Sequence, residues 1–110
     1  VESIIKSIKT LKKDVTIIAS SDMTHYESQT SAAHKDEEAI KAILKLNETE
    51  LLETIERLSV SMCGYIPVVV TIMAAKKLGA KRASLVSYQT SGDVTGDYSS
   101  VVGYAGIVIQ

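Results

Sequence analysis

A chain of 110 residues is long enough for one small domain with a real core and too short for two. Hydrophobic residues make up 45% and charged residues 23%, and the net charge of −1 leaves no electrostatic footprint for nucleic acid or a membrane surface. One cysteine excludes an internal disulfide and fits a reducing, cytoplasmic setting, and no apolar stretch reaches the length of a membrane span.

The chain opens at Val1 inside a helical pattern and without a Met, which reads as a fragment or a processed product. Ile4, Ile5, Ile8 and Leu11 share one face of an amphipathic helix over residues 2–12, and Lys12-Lys13-Asp14 ends it. Val15–Ser20 is a continuous apolar run rich in β-branched residues, the pattern of a strand covered on both faces. Residues 22–35 read as polar and irregular. Asp36-Glu37-Glu38 places negative charge in the first turn of a helix whose buried face is Ala39, Ile40, Ile43 and Leu44. Asn47 and Glu50 have capping-box spacing ahead of a helix carrying Leu51, Leu52, Ile55 and Leu58. Pro67 suits the first turn of a third, very apolar helix, which Gly79 stops as a left-handed cap. Residues 83–89 and 100–109 read as strands around the turn-rich "TSGDVTGDYSS".

The order helix, strand, three helices, strand, strand predicts a layered α/β fold, with a mixed, mostly parallel sheet flanked by helices. The short connection makes the last two strands antiparallel. Three strands form a thin sheet, so an apolar edge or face is expected to stand uncovered. Strands from elsewhere, either a missing amino-terminal half or another copy of the chain, would complete it.

Ligands of open α/β sheets sit beyond the carboxyl ends of strands, and there "SSDMTHYESQ" begins. Asp22 and His25, spaced i, i+3, let a carboxylate orient an imidazole for general-base work; the alternative is a solvated loop. In "SMCGYIP", Cys63 precedes the Pro67 helix, whose dipole and free N–H groups favour a thiolate. Such a sulfur is a nucleophile or a soft metal ligand; the alternative is a small buried hydrophobe. Gly64 removes bulk beside it. "TSGDVTGDYSS" lacks both a following helix and P-loop spacing, and reads as a turn. His34 reads as exposed or capping. His25 and Cys63 are too few for a catalytic metal, which takes about three protein ligands and an open position.

"SSDMTHY", "KDEEAI", "MCGYIPV" and "YQTSGDVTGDYSSVVGYAGIVI", in that order and over nearly all of residues 15–109, resemble the carboxyl-terminal half of the Memo family. The resemblance implies that residues 1–110 are one half of a larger α/β domain, related in fold to the class III ring-cleaving extradiol dioxygenases. Those enzymes hold non-haem iron with two histidines and a carboxylate and use a further histidine as acid/base. Carried onto this sequence, His25 takes the acid/base place, Asp22 orients it, and Cys63 takes the place of the carboxylate ligand. The two metal-binding histidines of the family lie in its amino-terminal half. Thiolate in place of carboxylate tilts the site from iron toward copper(I), zinc or a redox role. Family members also include binding proteins that recognise phosphorylated peptides. Three functions therefore stand open: a metal-dependent oxidoreductase, a non-catalytic module for a peptide or small anion, and a metal-free Cys63–His25 enzyme.

Overall fold

The computed structural model describes residues 1–11 and 14–110. Its elements run α1 (Glu2–Leu11), β1 (His25–Glu27), α2 (Gln29–Leu44), α3 (Glu48–Leu58), α4 (Tyr65–Lys77), β2 (Ala83–Thr90), α5 (Gly92–Thr95) and β3 (Val101–Ile109). The α/β class is as expected, but the sheet is not mostly parallel. Its order is β1-β3-β2 and both pairings are antiparallel. Residues 91–100 join β2 to β3 with a single helical turn, too little chain for the crossover that a parallel pair requires.

Helix boundaries follow local chemistry. Asn47 accepts the Glu50 N–H at 3.0 Å and starts α3, as the capping-box spacing predicts. Pro67 lies in the first turn of α4, where its missing N–H would have no intrahelical acceptor, and Gly79, with φ +98°, follows the last turn. Helix α2 departs from expectation. It begins at Gln29, because the Ser28 side chain accepts the Ser31 N–H at 3.3 Å and caps it there. Asp36 is thus not in a first turn; it sits in mid-helix on the buried stripe with Ala32, Ala39, Ile40 and Ile43. The expected stop at Lys12-Lys13-Asp14 falls partly outside the described residues.

The expected strand over Val15–Ser20 is not formed. The first strand lies further on, at His25–Glu27, and residues 14–23 belong to no regular element. β-branched residues give an extended run its propensity, yet a strand exists only by pairing. A cavity of about 670 Å³ is lined both by Val15–Ala19 and by the Ala105–Gln110 end of β3. Ile18 in this run is 85% exposed.

Helix α2 lies on the sheet, α3 on α2, α4 on α3 and α1 on α4. The core joins Met23, Ala39, Ile40, Ile43, Leu51, Met62, Val69 and Ile72, and the inward face of the sheet adds Tyr88, Ala105, Ile107 and Ile109. The other face is bare among the described residues: Val86 is 71% exposed, with Tyr104 and Val108 beside it on the same surface. This is the uncovered apolar face expected of so thin a sheet. Among the described residues no helix is long and apolar enough to cross a membrane.

Candidate functional site

Two loops meet beside the N-terminus of α4, and hydrogen bonds fix each against the other. Ser21 Oγ accepts the Gly64 N–H at 2.8 Å and donates to the Asp22 carbonyl at 2.8 Å. A side chain on Gly64 would lie 2.5 Å from the Ser20 carbonyl oxygen, so glycine is needed for this approach. The Asp22 N–H donates to Cys63 Sγ at 3.3 Å. The His25 N–H donates to Ser61 Oγ at 2.8 Å. Beyond His25 the chain is anchored to α2, where Ser31 Oγ and Lys35 Nζ donate to the two oxygens of Glu27 at 2.6 and 3.0 Å. The Ser31 hydroxyl, and secondarily Lys35, hold the Glu27 carboxyl below its ordinary range against the opposing effect of burial.

His25 Nδ1 lies 2.6 Å from the Ser61 carbonyl oxygen. A carbonyl can only accept, so Nδ1 carries the proton and the neutral ring presents its lone pair at Nε2. Nε2 is 3.5 Å from Asp22 Oδ2. Asp22, His25 and Cys63 each bring one donor atom to a common point, all within 4.8 Å of one another. Bonds of about 2.0–2.3 Å to a transition metal would require these atoms to close by roughly 1 Å, within the reach of side-chain rotation. The set of one sulfur, one imidazole nitrogen and one carboxylate oxygen fits a metal of borderline softness. A ring nitrogen held by a backbone carbonyl is the usual support for a ligating or proton-accepting histidine. Cys63 is exposed and His25 half-buried, so the cluster is open to solutes. Tyr26, at φ +57° and 78% exposed, occupies the irregularity between His25 and Glu27, its ring centroid 5.9 Å from the imidazole.

Asp22, His25 and Cys63, 41 residues apart at the widest, are thus brought together. His34 is not; it lies on the exposed side of α2. "TSGDVTGDYSS" forms α5 and a turn tied by Asp93, which accepts from the Thr90 N–H and the Tyr98 hydroxyl.

Several residues behind the site escaped the sequence reading. Ser21 and Ser61 stand inside the strings "SSDMTHY" and "SMCGYIP", where a serine gives no sign of which backbone group it will bond. Asp36 did carry a readable signal, a lone carboxylate at helical spacing with Ala32, Ala39, Ile40 and Ile43. It is fully buried, accepts the Thr24 N–H at 2.9 Å on Oδ1 and accepts the Tyr88 hydroxyl at 2.5 Å on Oδ2. Burial, reinforced by this acceptor, pushes the Tyr88 phenol well above its ordinary range. A side chain on Gly103 would collide with the Asp36 carboxylate, so β3 admits the acid only because that position is glycine.

The family described as Memo-like protein matches residues 1–108. A MEMO1 family protein of Methanocaldococcus jannaschii is 51% identical over 107 residues, covering 97% of this chain and 37% of that protein. One from Methanopyrus kandleri is 47% identical over 109 residues, covering 99% and 38%, and one from Methanosarcina acetivorans is 48% identical over 98 residues, covering 89% and 37%. The chain therefore spans under two-fifths of the length of these curated relatives. With nearly all of it matched, the chain belongs to the Memo family.

Proposed function

We propose that this chain supplies one wall of a transition-metal site with redox chemistry resembling that of the extradiol dioxygenases. Cys63 is the metal ligand, His25 the acid/base group, and Asp22 the group that orients it. The observation that carries this reading is the convergence of three donor atoms within 4.8 Å, two of them on one loop and the third across from it. The two histidines that the family resemblance adds lie outside this chain. Iron or copper, with zinc as a further fit, would supply Lewis acidity or electron transfer when bound.

The chain's own residues do the rest. The Ser61 carbonyl keeps the proton on Nδ1, so Nε2 is free to take one from a small-molecule substrate. Asp22, 3.5 Å away, stabilises the imidazolium that results. The Asp22 N–H fixes the direction of the Cys63 sulfur. The bare sheet face is where the amino-terminal half, or another copy, packs.

The experiment is metal content by elemental analysis of folded protein, wild type against Cys63→Ser, after equilibration with copper(I) or iron(II) and removal of excess. The expected result is a loss of tenfold or more; equal content in the two forms would contradict the proposal. The same proximity would serve a metal-free Cys63–His25 enzyme, and a peptide-binding module would also use an open cleft. Activity or peptide affinity that survives chelation points to those readings.

A further inference from the structure

We propose that Asp36 is a positioning residue that holds His25 in its orientation toward Asp22 and Cys63. The inference rests on the reading of those three side chains as one site, and extends it to a group on a different element.

The fold itself gives little reason for a carboxylate here. Asp36 lies on the stripe of α2 that faces the sheet, among alanines and isoleucines, with no solvent exposure. Among the described residues no lysine, arginine or histidine lies within ion-pair distance of it. Burying a carboxylate without a cation costs several kcal/mol before hydrogen bonds offset it, and a well-packed apolar side chain would stabilise the helix–sheet contact more. The sequence retains the acid and surrounds it with two donors and a glycine that makes room for it.

What the carboxylate grips is the residue before His25. Thr24 donates its N–H to Asp36 Oδ1, while its carbonyl accepts the Gly103 N–H at 2.9 Å. Next to it, the Met23 N–H donates to the Gly103 carbonyl at 2.9 Å. The peptide on the other side of Thr24 carries the His25 N–H to Ser61 Oγ. Both faces of the Thr24 backbone are thus fixed, one by β3 and one by α2, at a point where no regular strand has begun. Tyr88 on β2 pins the second carboxylate oxygen and stops the acid from rotating. Without Asp36 the Thr24 N–H has no acceptor, and the Met23–Thr24 peptide, immediately before the one that carries the His25 N–H, loses its tie to α2, so the Thr24 dihedral angles that aim His25 are no longer held from both sides.

The test uses the natural polypeptide that carries this sequence, with isotope-labelled histidine and cobalt(II) as the metal probe. The variants are Asp36→Ala, Asp36→Asn, and the pair Asp36→Leu with Tyr88→Phe, which fills the space with apolar groups and preserves folding should Asp36→Ala not fold. Leu51→Ala, in the core on α3, serves as a control for lost stability alone. In the wild type, ring nitrogen shifts should report a single His25 tautomer protonated at Nδ1. Asp36→Ala and the apolar pair should give mixed tautomers. Asp36→Asn, which still offers an oxygen to the Thr24 N–H, should recover most of the single form, and Leu51→Ala should leave it unchanged. A folded Asp36→Ala or apolar-pair protein with a single tautomer would overturn the proposal. A wild type that binds no cobalt, while its Asp36 variants still lose the tautomer, would overturn the metal reading and uphold the positioning role.

Discussion

Residues 15–20 and 21–27 are consecutive, and they behave in opposite ways. The first stretch has the composition of a buried strand, Val-Thr-Ile-Ile-Ala-Ser, yet has no ladder partner and leaves Ile18 85% exposed. The second is polar and irregular in sequence, yet Met23 and Thr24 are buried and the N–H groups of Asp22, Met23, Thr24 and His25 each have a partner on β3, α2 or the Ser61–Gly64 loop. Apolar composition creates a tendency to be buried, which a chain satisfies only where another surface is present. Specific acceptors such as Asp36 and Ser61 fix a backbone even where propensity is weak. Two of the three side chains of the candidate site, Asp22 and His25, are carried on the second kind of structure.

That contrast can be broken or sharpened by substitution. The largest effect is expected at Met23, 2% exposed in the core: Met23→Ala should lower unfolding free energy by about 2–4 kcal/mol in chemical denaturation. An equal change at Ile18, Ile18→Ala, should shift it by less than about 0.5 kcal/mol, because that side chain is already in water. A large loss at Ile18 would mean that residues 15–20 are paired after all. A smaller effect should be seen in alkali. The folded state holds the Tyr88 phenol above the value of about 10 that it has when unfolded. Above that pH the unfolded chain releases the proton while the folded chain keeps it, so stability falls as pH rises. Tyr88→Phe should flatten this limb of the pH–stability curve; an unchanged slope would show that burial and the bond to Asp36 do not hold the phenol protonated there.

Legibility in the sequence followed the same division. The caps at Asn47 and Gly79, the place of Pro67 and the antiparallel pairing of the last two strands were readable, because each depends on residues a few positions apart. The three candidate site residues stand out in short motifs and through a family resemblance, and their side chains converge. The Val15–Ser20 strand was expected and is not formed, because periodicity reports a tendency and says nothing of a partner. The mostly parallel sheet was expected from the order of elements and is antiparallel, because the Val15–Ser20 strand that would have run parallel is not formed and β1, the strand that is, pairs antiparallel with β3. The early start of α2 was overlooked because three acidic residues at 36–38 resemble a first turn, while the cap at Ser28 is a single hydroxyl in a polar run. Ser61 holds the His25 ring through its backbone carbonyl and Gly103 makes room by an absent side chain, features that no composition reveals.

The account depends most on the meeting of two loops around one sulfur and one imidazole. In uniformly labelled protein, through-space magnetisation transfer between the His25 ring protons and the Cys63 β-protons tests that meeting directly. Cross-peaks between them, accompanied by one from the Asp22 amide proton to the same cysteine, are the predicted result. A spectrum in which Cys63 shows contacts only within its own loop would contradict the site and every role assigned to it.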